Sequence, residues 1–440
     1  MFSTKFLTLY KYFKKLSTFG RNISQICLHN EVRQALIDEQ AVVALESTII
    51  THGMKFDYNI KTAREVERII REQGAVPATI AILNGEIKVG LTEIELEELA
   101  QKQQDCYKIS RRDFPYIISH KLTGGTTVSG TMIIAHKVGI PIFVTGGIGG
   151  VHREGETTMD ISADLTELGR TPVAVFCSGV KSILDIGKTL EYLETQGVAV
   201  ATYGPSKVFP EFFCRGTKFF SPYNLETDKA AAQFIETIFD MKLNSGLLIG
   251  VPIPDKYSLN ERMISSAIEE GLQMAKKSDI RGKNVTPFLL SKVSEITEGK
   301  SLEANIALIK NNALVGARVA VEHAKLKRDN KKNGCLVPCN IGSSSDISKN
   351  RCEVNSDVNK VDEHSKIIVV GAINLDFVVN VSQSIFRFKR KTCVVSQSQE
   401  NVGKYLIENF AQNFEHADLL LELTFRFSET RNGPSKALNV

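Results

Sequence analysis

The chain has 440 residues, of which 42% are apolar and 24% charged, with a formal net charge of +4. That is the balance of an ordinary soluble globular protein, long enough for two or three domains. The charge is too small and too dispersed to point to nucleic acid, and no apolar run reaches the roughly eighteen residues that a membrane helix needs.

The first segment, residues 1–29, carries Lys5, Lys11, Lys14, Lys15 and Arg21 but no acidic residue, with Ser, Thr and aromatics interleaved. This suits a mitochondrial transit peptide better than a secretory signal, which needs an unbroken apolar core; a basic tail without an address is the competing reading. Eight cysteines follow no regular framework. Cys177 and Cys214 sit in apolar company, as reduced and buried thiols do. Cys335 and Cys339 have zinc-like spacing but no second pair follows.

From residue 30 to 326, apolar strands alternate with amphipathic helices. Ala41–Leu45 reads as a strand. Residues 59–73 place Ile60, Ala63, Val66, Ile69 and Ile70 at helical spacing, with Gly74 as the stop. Residues 78–83 and 86–89 predict a hairpin about Asn84-Gly85, and Thr92 with Glu95 predicts a capping box. Further strands are expected at 140–144, 173–177 and 198–202, and helices near 127–138 and 180–195. The pattern implies a layered α/β/α domain with a mixed or largely parallel sheet. Residues 327–365 are polar, rich in Asn and Ser, and read as a linker. Residues 366–440 open on a strand, a tight polar turn and a second strand, but leave too little chain for a compact domain of ordinary size.

Reactive groups gather where strands end. Residues 140–144 form a buried strand, and the stretch after it holds Gly146, Gly147, Gly149, Gly150 and His152. It is not a P-loop, because no Lys follows the glycines, and not a dinucleotide fingerprint, because His152 stands where the third glycine belongs. Glu46 leaves an apolar strand, where a carboxyl suits a general acid or a surface ion pair. Lys108, Arg111, Arg112 and Asp113 suit an anionic group such as phosphate or a solvated face. Gly124 to Thr127 precede a helix, as an anion site or a plain cap. Lys181 follows a strand and a Ser-Gly turn at an expected helix start, which disfavours an ammonium and favours a neutral, nucleophilic amine. Asp160 and Asp164, four apart, offer hard oxygen ligands on one expected helical face, unless one of them caps.

Taken together, "VALESTIITHG", "SRRDFPYI", "GGTTVSGTMIIAH", "TGGIGGVHR", "DISADLTEL", "KSILD", "TPFLL" and "SLEANIALIKNNA" resemble the pseudouridine-5′-phosphate glycosidases over residues 30 to 326. The resemblance implies reversible cleavage of a C–C glycosidic bond, giving uracil and ribose 5-phosphate. A C-glycoside has no leaving oxygen to protonate, so two carboxylates alone would not suffice. The family's route opens the ribose and holds C1′ as an imine on a lysine. By position, Lys181 is that nucleophile and Glu46 the proton donor. Asp160 matches the ligand of Mn²⁺ or another divalent cation such as Mg²⁺. Lys108, the backbone at Val128, and Ser162, Ala163 and Asp164 match substrate positions. Thr145, His152 (as a phosphate contact) and Asn305, with Asn312, are expected to reach the same pocket. The family also implies a homo-oligomer, a trimer, with a small-molecule substrate and neither nucleic acid nor membrane as partner.

"KIIVVGAINLDFVVNV" resembles the opening of a ribokinase-type (PfkB) sugar kinase, with Gly371, Asn374 and Asp376 in its sugar-contacting turn. "NVGKYLIENFA" echoes that family's next motif with Asn401 in place of a glycine, and its late Gly-Ala-Gly-Asp motif is absent. The resemblance therefore implies an incomplete α/β kinase fragment without kinase activity. Two other readings stay open: a Schiff-base aldolase or lyase acting on another sugar phosphate through Lys181, and a glycosidase-like body kept as a binding module.

Overall fold

The computed structural model describes residues 26–215, 218–278, 280, 285–332 and four short strand segments beyond residue 373. The chain divides after Cys339 into two units. In the first, strands β1 (Ile26–Leu28), β2 (Val42–Leu45), β3 (Val76–Leu83), β4 (Glu86–Val89), β5 (Tyr107–Ile109), β6 (Gly124–Thr126), β7 (Ile142–Val144), β8 (Ala174–Cys177), β9 (Ala199–Tyr203), β10 (Tyr223–Leu225) and β11 (Leu247–Gly250) form one sheet. Its order is β1-β4-β3-β2-β7-β8-β11-β9-β10, with β6 joining β3 to β5. From β3 to β10 the ladder is parallel throughout, while β4 and β6 run antiparallel to β3. The expected mixed α/β class is what forms.

The centre of the sheet has a sequence-level cause. β2, β7, β8 and β11 read VVAL, IFV, AVFC and LLIG, and every one of these residues is buried. Strands apolar on both faces are stable only when helices cover both. The long helix Lys300–Lys332 covers one stretch: Gly316 lies so close to Val144 and Phe176 that a Cβ there would overlap the Val144 side chain. The predicted hairpin closes at Asn84 and Gly85, both at positive φ (51° and 80°) as a primed turn requires. The Thr92–Glu95 capping box is formed.

Several expected boundaries move. Ile26–Leu28, at the end of the expected tail, pair with Ile87–Val89 as an edge strand, and His29 caps the helix Asn30–Ile37. The apolar residues Ile26 and Leu28 find a ladder partner there, so the folded unit starts before residue 30. Residues 1–25, with the expected address, lie outside the described residues. At the other end the helix continues past Leu326 to Lys332, because the Lys- and Arg-rich run suits a helix C-terminus. In the second unit β12 (Asn374–Val381), β13 (Ser384–Lys391), β14 (Leu423–Arg426) and β15 (Ala437–Asn439) pair antiparallel in the order β13-β12-β14-β15. Asn374 and Asp376 thus stand in a strand opposite Lys391 and Lys389, not in the expected turn. Gly371 and most of the linker lie outside the described residues.

Candidate active site

Because β2, β7 and β8 are parallel neighbours, the segments leaving their C-terminal ends open on one edge of the sheet, where ligands bind in open α/β folds. A cavity of about 640 Å³ lies there, within the range of roughly 300–1,000 Å³ usual for small-molecule sites. Glu46, Lys108, Val128, His152, Asp160, Ser162, Ala163, Asp164, Lys181 and Asn305 all line it. Ten of the twelve expected site residues, drawn from segments up to 259 positions apart, are therefore brought together.

Thr145 is one of the two exceptions. It is buried and absent from that wall; it lines a smaller cavity of about 30 Å³ on the far side of Glu46. Its hydroxyl donates to Glu46 Oε1. Glu46 itself is only 8% exposed. Ile50, Met54, Val66 and Ile309 also line the rear cavity. Burial pushes the Glu46 carboxyl above its ordinary range, against the opposing pull of Lys181, the Thr145 hydroxyl and Lys108. Asp164 adds to the upward push. A carboxyl pushed towards its neutral form at the edge of a cavity is the arrangement that general-acid chemistry requires.

Lys181 is held by the glycine-rich loop. Beyond the ends of β7 and β8 the two chains stay zipped: Ser178 N–H donates to Gly146 O, Ile148 N–H to Gly179 O and Lys181 N–H to Ile148 O, at 2.8, 3.1 and 3.1 Å. The helix expected from residue 180 begins only at Ile186, capped by Asp185. Lys181 is thus a loop residue, and the expected helix N-terminus is not beside it. The reason is local: the Asp185 side chain accepts the Lys188 N–H, and Asp185 N–H donates to Val151 O, which starts the helix there. Asn312, expected in the pocket, is fully buried behind it; its amide donates to Thr145 O and Gly146 O and accepts from Ser178 Oγ.

The two aspartates also part company. Ser162 caps the helix Ala163–Leu168, so Asp160 lies before the helix and Asp164 inside its first turn. They do not share a helical face. Asp164 is buried, and both its oxygens accept backbone N–H groups, from Ser129 and Gly149. Asp160 keeps its carboxylate in the pocket wall, 3.9 Å from His152 Nε2. No three His, Cys, Asp or Glu side chains converge as a metal cage among the described residues. One open carboxylate fits a hydrated Mg²⁺ or Mn²⁺, which keeps several waters. Burial holds the His152 imidazole below its ordinary range, with Asp160 opposing and Lys108 reinforcing.

The basic cluster divides in the same way. Arg111 forms a two-point contact with Glu167 (Nε to Oε2 2.7 Å, Nη2 to Oε1 2.5 Å), and Arg170 reaches the same carboxylate at 3.3 Å. Arg112 is 78% exposed and pairs with Asp113 at 3.8 Å, and Arg111, Arg112 and Asp113 all line the cavity, so the expected cluster stays at its wall. Sequence reasoning missed Phe212, a wall residue at φ +54°, and assigned no role to His52 or Gly53, which also line the pocket. "ITHG" was legible within a matched motif; nothing near Phe212 signals that its ring would turn back over the glycine loop.

Several known proteins are similar to this chain. The profile of the indigoidine synthase A like protein family matches residues 31–322. A pseudouridine-5′-phosphate glycosidase of Geobacillus kaustophilus is 56% identical over 292 residues, 66% of this chain and 96% of its own. One from Clostridium botulinum is 51% identical over 301 residues, 68% and 98% of the two chains. A pseudouridine-metabolizing bifunctional protein of Schizosaccharomyces pombe is 44% identical over 380 residues, 83% of this chain and 50% of that one. Among solved structures, the prealnumycin C-glycosynthase AlnA in complex with ribulose 5-phosphate superposes with a TM-score of 0.65 at 34% identity, covering 70% of this chain and all of that one. A profile match over most of the first unit, and relatives matched over nearly their whole length, place the chain in the indigoidine synthase A-like family, with the pseudouridine-5′-phosphate glycosidases among its members.

Proposed function

We propose that the chain cleaves the C–C glycosidic bond of pseudouridine 5′-phosphate reversibly, giving uracil and ribose 5-phosphate. The observation that carries the reading is one cavity lined by both a buried carboxyl, pushed by that burial towards its neutral form, and a lysine amine. The names of the relatives, and a C-glycosynthase neighbour in complex with a pentose phosphate, support it.

In this reading the Lys181 amine bonds to C1′ as the C1′–O4′ bond opens, and the proton its nitrogen then sheds goes to O4′, leaving the nitrogen lone pair free. Glu46 then gives its proton to uracil C5. The nitrogen lone pair forms the C1′=N bond while the C1′–C5 pair returns to the pyrimidine ring, releasing uracil. Water hydrolyses the imine, so the sum is substrate plus water giving uracil plus ribose 5-phosphate. Lys108, the backbone at Val128 and the segment Ser162–Asp164 bind the substrate, with Asn305 on the same wall and His152 at the phosphate. Asp160 would hold Mn²⁺ or Mg²⁺, and a bound divalent cation would supply charge stabilisation at the substrate.

Uracil release from pseudouridine 5′-phosphate with added Mn²⁺ tests the reading, with Lys181→Ala as control. The parent should release uracil and the variant none. Borohydride with ribose 5-phosphate should fix a pentose-phosphate mass on the Lys181 peptide of the parent alone. A folded, metal-supplemented parent that releases no uracil would sink the assignment.

A further inference from the structure

We propose that Thr145 is a positioning residue that decides which oxygen of Glu46 carries the transferable proton; the inference rests on the glycosidase reading above. Thr145 is 3% exposed and stands behind Glu46, with no place in the wall of the main cavity. Its hydroxyl donates to Oε1 of Glu46. An oxygen that accepts a hydrogen bond is the carbonyl-type oxygen of a neutral carboxyl, so the acid proton is left on Oε2. Glu46 lines both cavities while Thr145 lines only the rear one, so Oε2, the oxygen turned away from Thr145, presents the proton to the substrate.

The hydroxyl is itself fixed. Thr145 N–H donates to Phe176 O at 2.9 Å, and Thr145 O accepts the Asn312 amide at 2.9 Å. Asn312 also accepts from Ser178 Oγ at 3.1 Å, three residues before Lys181. One buried amide thus ties the acid's orienting group to the loop that carries the nucleophile. A substrate contact would need Thr145 in the cavity, and a purely structural threonine would not need its hydroxyl on a carboxyl held neutral. Such buried hydrogen bonds preorganise a catalytic group at no cost during the reaction.

The test measures kcat, KM and their pH dependence for uracil release by the full chain with Mn²⁺, in the parent, Thr145→Val, Thr145→Ala and Thr145→Ser. Cleavage needs neutral Glu46, so the rate falls as pH rises through its titration. The Thr145 hydroxyl, together with Lys181 and Lys108, favours the ionised form, while burial and Asp164 disfavour it. Losing the hydroxyl should move the basic limb to higher pH and lower plateau kcat by about ten-fold, a fraction of the total general-acid effect, with KM unchanged. Alanine adds no methyl against the carboxyl and guards against a misfolded valine variant. Serine should restore the parent's limb and most of kcat. A raised KM with kcat and limb unchanged would make Thr145 a substrate contact and overturn the proposal, as would valine and alanine variants identical to the parent. An inactive parent would instead overturn the glycosidase reading itself.

Discussion

Asp164 accepts the Gly149 N–H at 2.9 Å through one oxygen and the Ser129 N–H at 3.0 Å through the other. A single buried carboxylate therefore clasps the glycine-rich loop onto the first turn of the helix Val128–Val138. A Cβ on Gly149 would fall within 2.9 Å of that carboxylate and collide with Ser162, so the glycine is required by the clasp. Asp164→Asn turns an acceptor into a donor facing an N–H, and an unmet buried donor costs about 1–3 kcal/mol. A lower melting temperature and a raised KM for pseudouridine 5′-phosphate are expected. A melting curve equal to the parent's would show that the clasp is not what holds the loop.

Gly147 and Phe212 meet on the same wall. A Cβ on Gly147 would lie 2.5 Å from the Phe212 ring and 3.1 Å from Gly179 O. The ring has little freedom to yield, because it packs edge-on against Phe213 and the Phe212 N–H is bound to Ser178 O at 2.8 Å. Gly147→Ala should cost about 1–3 kcal/mol by overpacking. Phe212→Ala should relieve much of that loss in the double variant, which a double-mutant cycle of melting free energies would read as coupling. Strictly additive losses would mean the two residues do not press on each other.

Glu167 carries a different load. It is fully buried, yet accepts from Arg111, Thr171 and Arg170. Burial raises its carboxyl, but the hydrogen bonds from Arg111 and Thr171 and the arginine charges outweigh that and hold it below its ordinary range. A depressed carboxyl stabilises the fold at pH values above the unfolded value of about 4.3, and that stability is lost as pH falls through the lower folded value. Glu167→Gln should therefore cost about 2–3 kcal/mol near pH 7, less than a wholly buried pair because water reaches both arginines. The deficit should shrink on acidification. Unfolding curves between pH 3 and 7 would show this; a deficit independent of pH would assign the loss to packing.

The strands and the matched motifs were legible because both are local. Runs such as VVAL and IFV declare strands buried on both faces, and Asn84-Gly85 declares its turn. Much of the convergence follows from strand order, since Glu46, the glycine-rich loop and Lys181 leave the parallel neighbours β2, β7 and β8 at one sheet edge, while Lys108 comes from β5 and Asn305 from the long helix. What the sequence hid was orientation. Thr145 follows the Phe143-Val144 strand as directly as Gly146 does, yet it faces Glu46 from behind. Asp160 and Asp164 have helical spacing, but Ser162 caps between them. Arg111 and Arg112 are identical in type and both line the cavity, yet only tertiary contact engages one with Glu167 and leaves the other exposed beside Asp113. No single-sequence pattern contains these choices, because the partner lies tens of residues away in each case.

The burial that suits Glu46 for proton transfer also destabilises the fold, and the sign can be worked out. Its carboxyl is raised in the folded state, so on raising pH the unfolded chain loses this proton first. Stability then falls from about pH 4.3 upward until the folded carboxyl has also ionised. Glu46→Gln keeps an oxygen for the Thr145 hydroxyl and removes the ionisable group. The variant should melt higher than the parent at pH 8, and the advantage should close as pH approaches 4. Uracil release should fall by about 10²–10⁴, the usual contribution of a general acid. Melting curves across this range, beside the activity assay, separate the two effects: a variant that loses activity but gains no stability at high pH would show that burial does not hold the Glu46 carboxyl neutral.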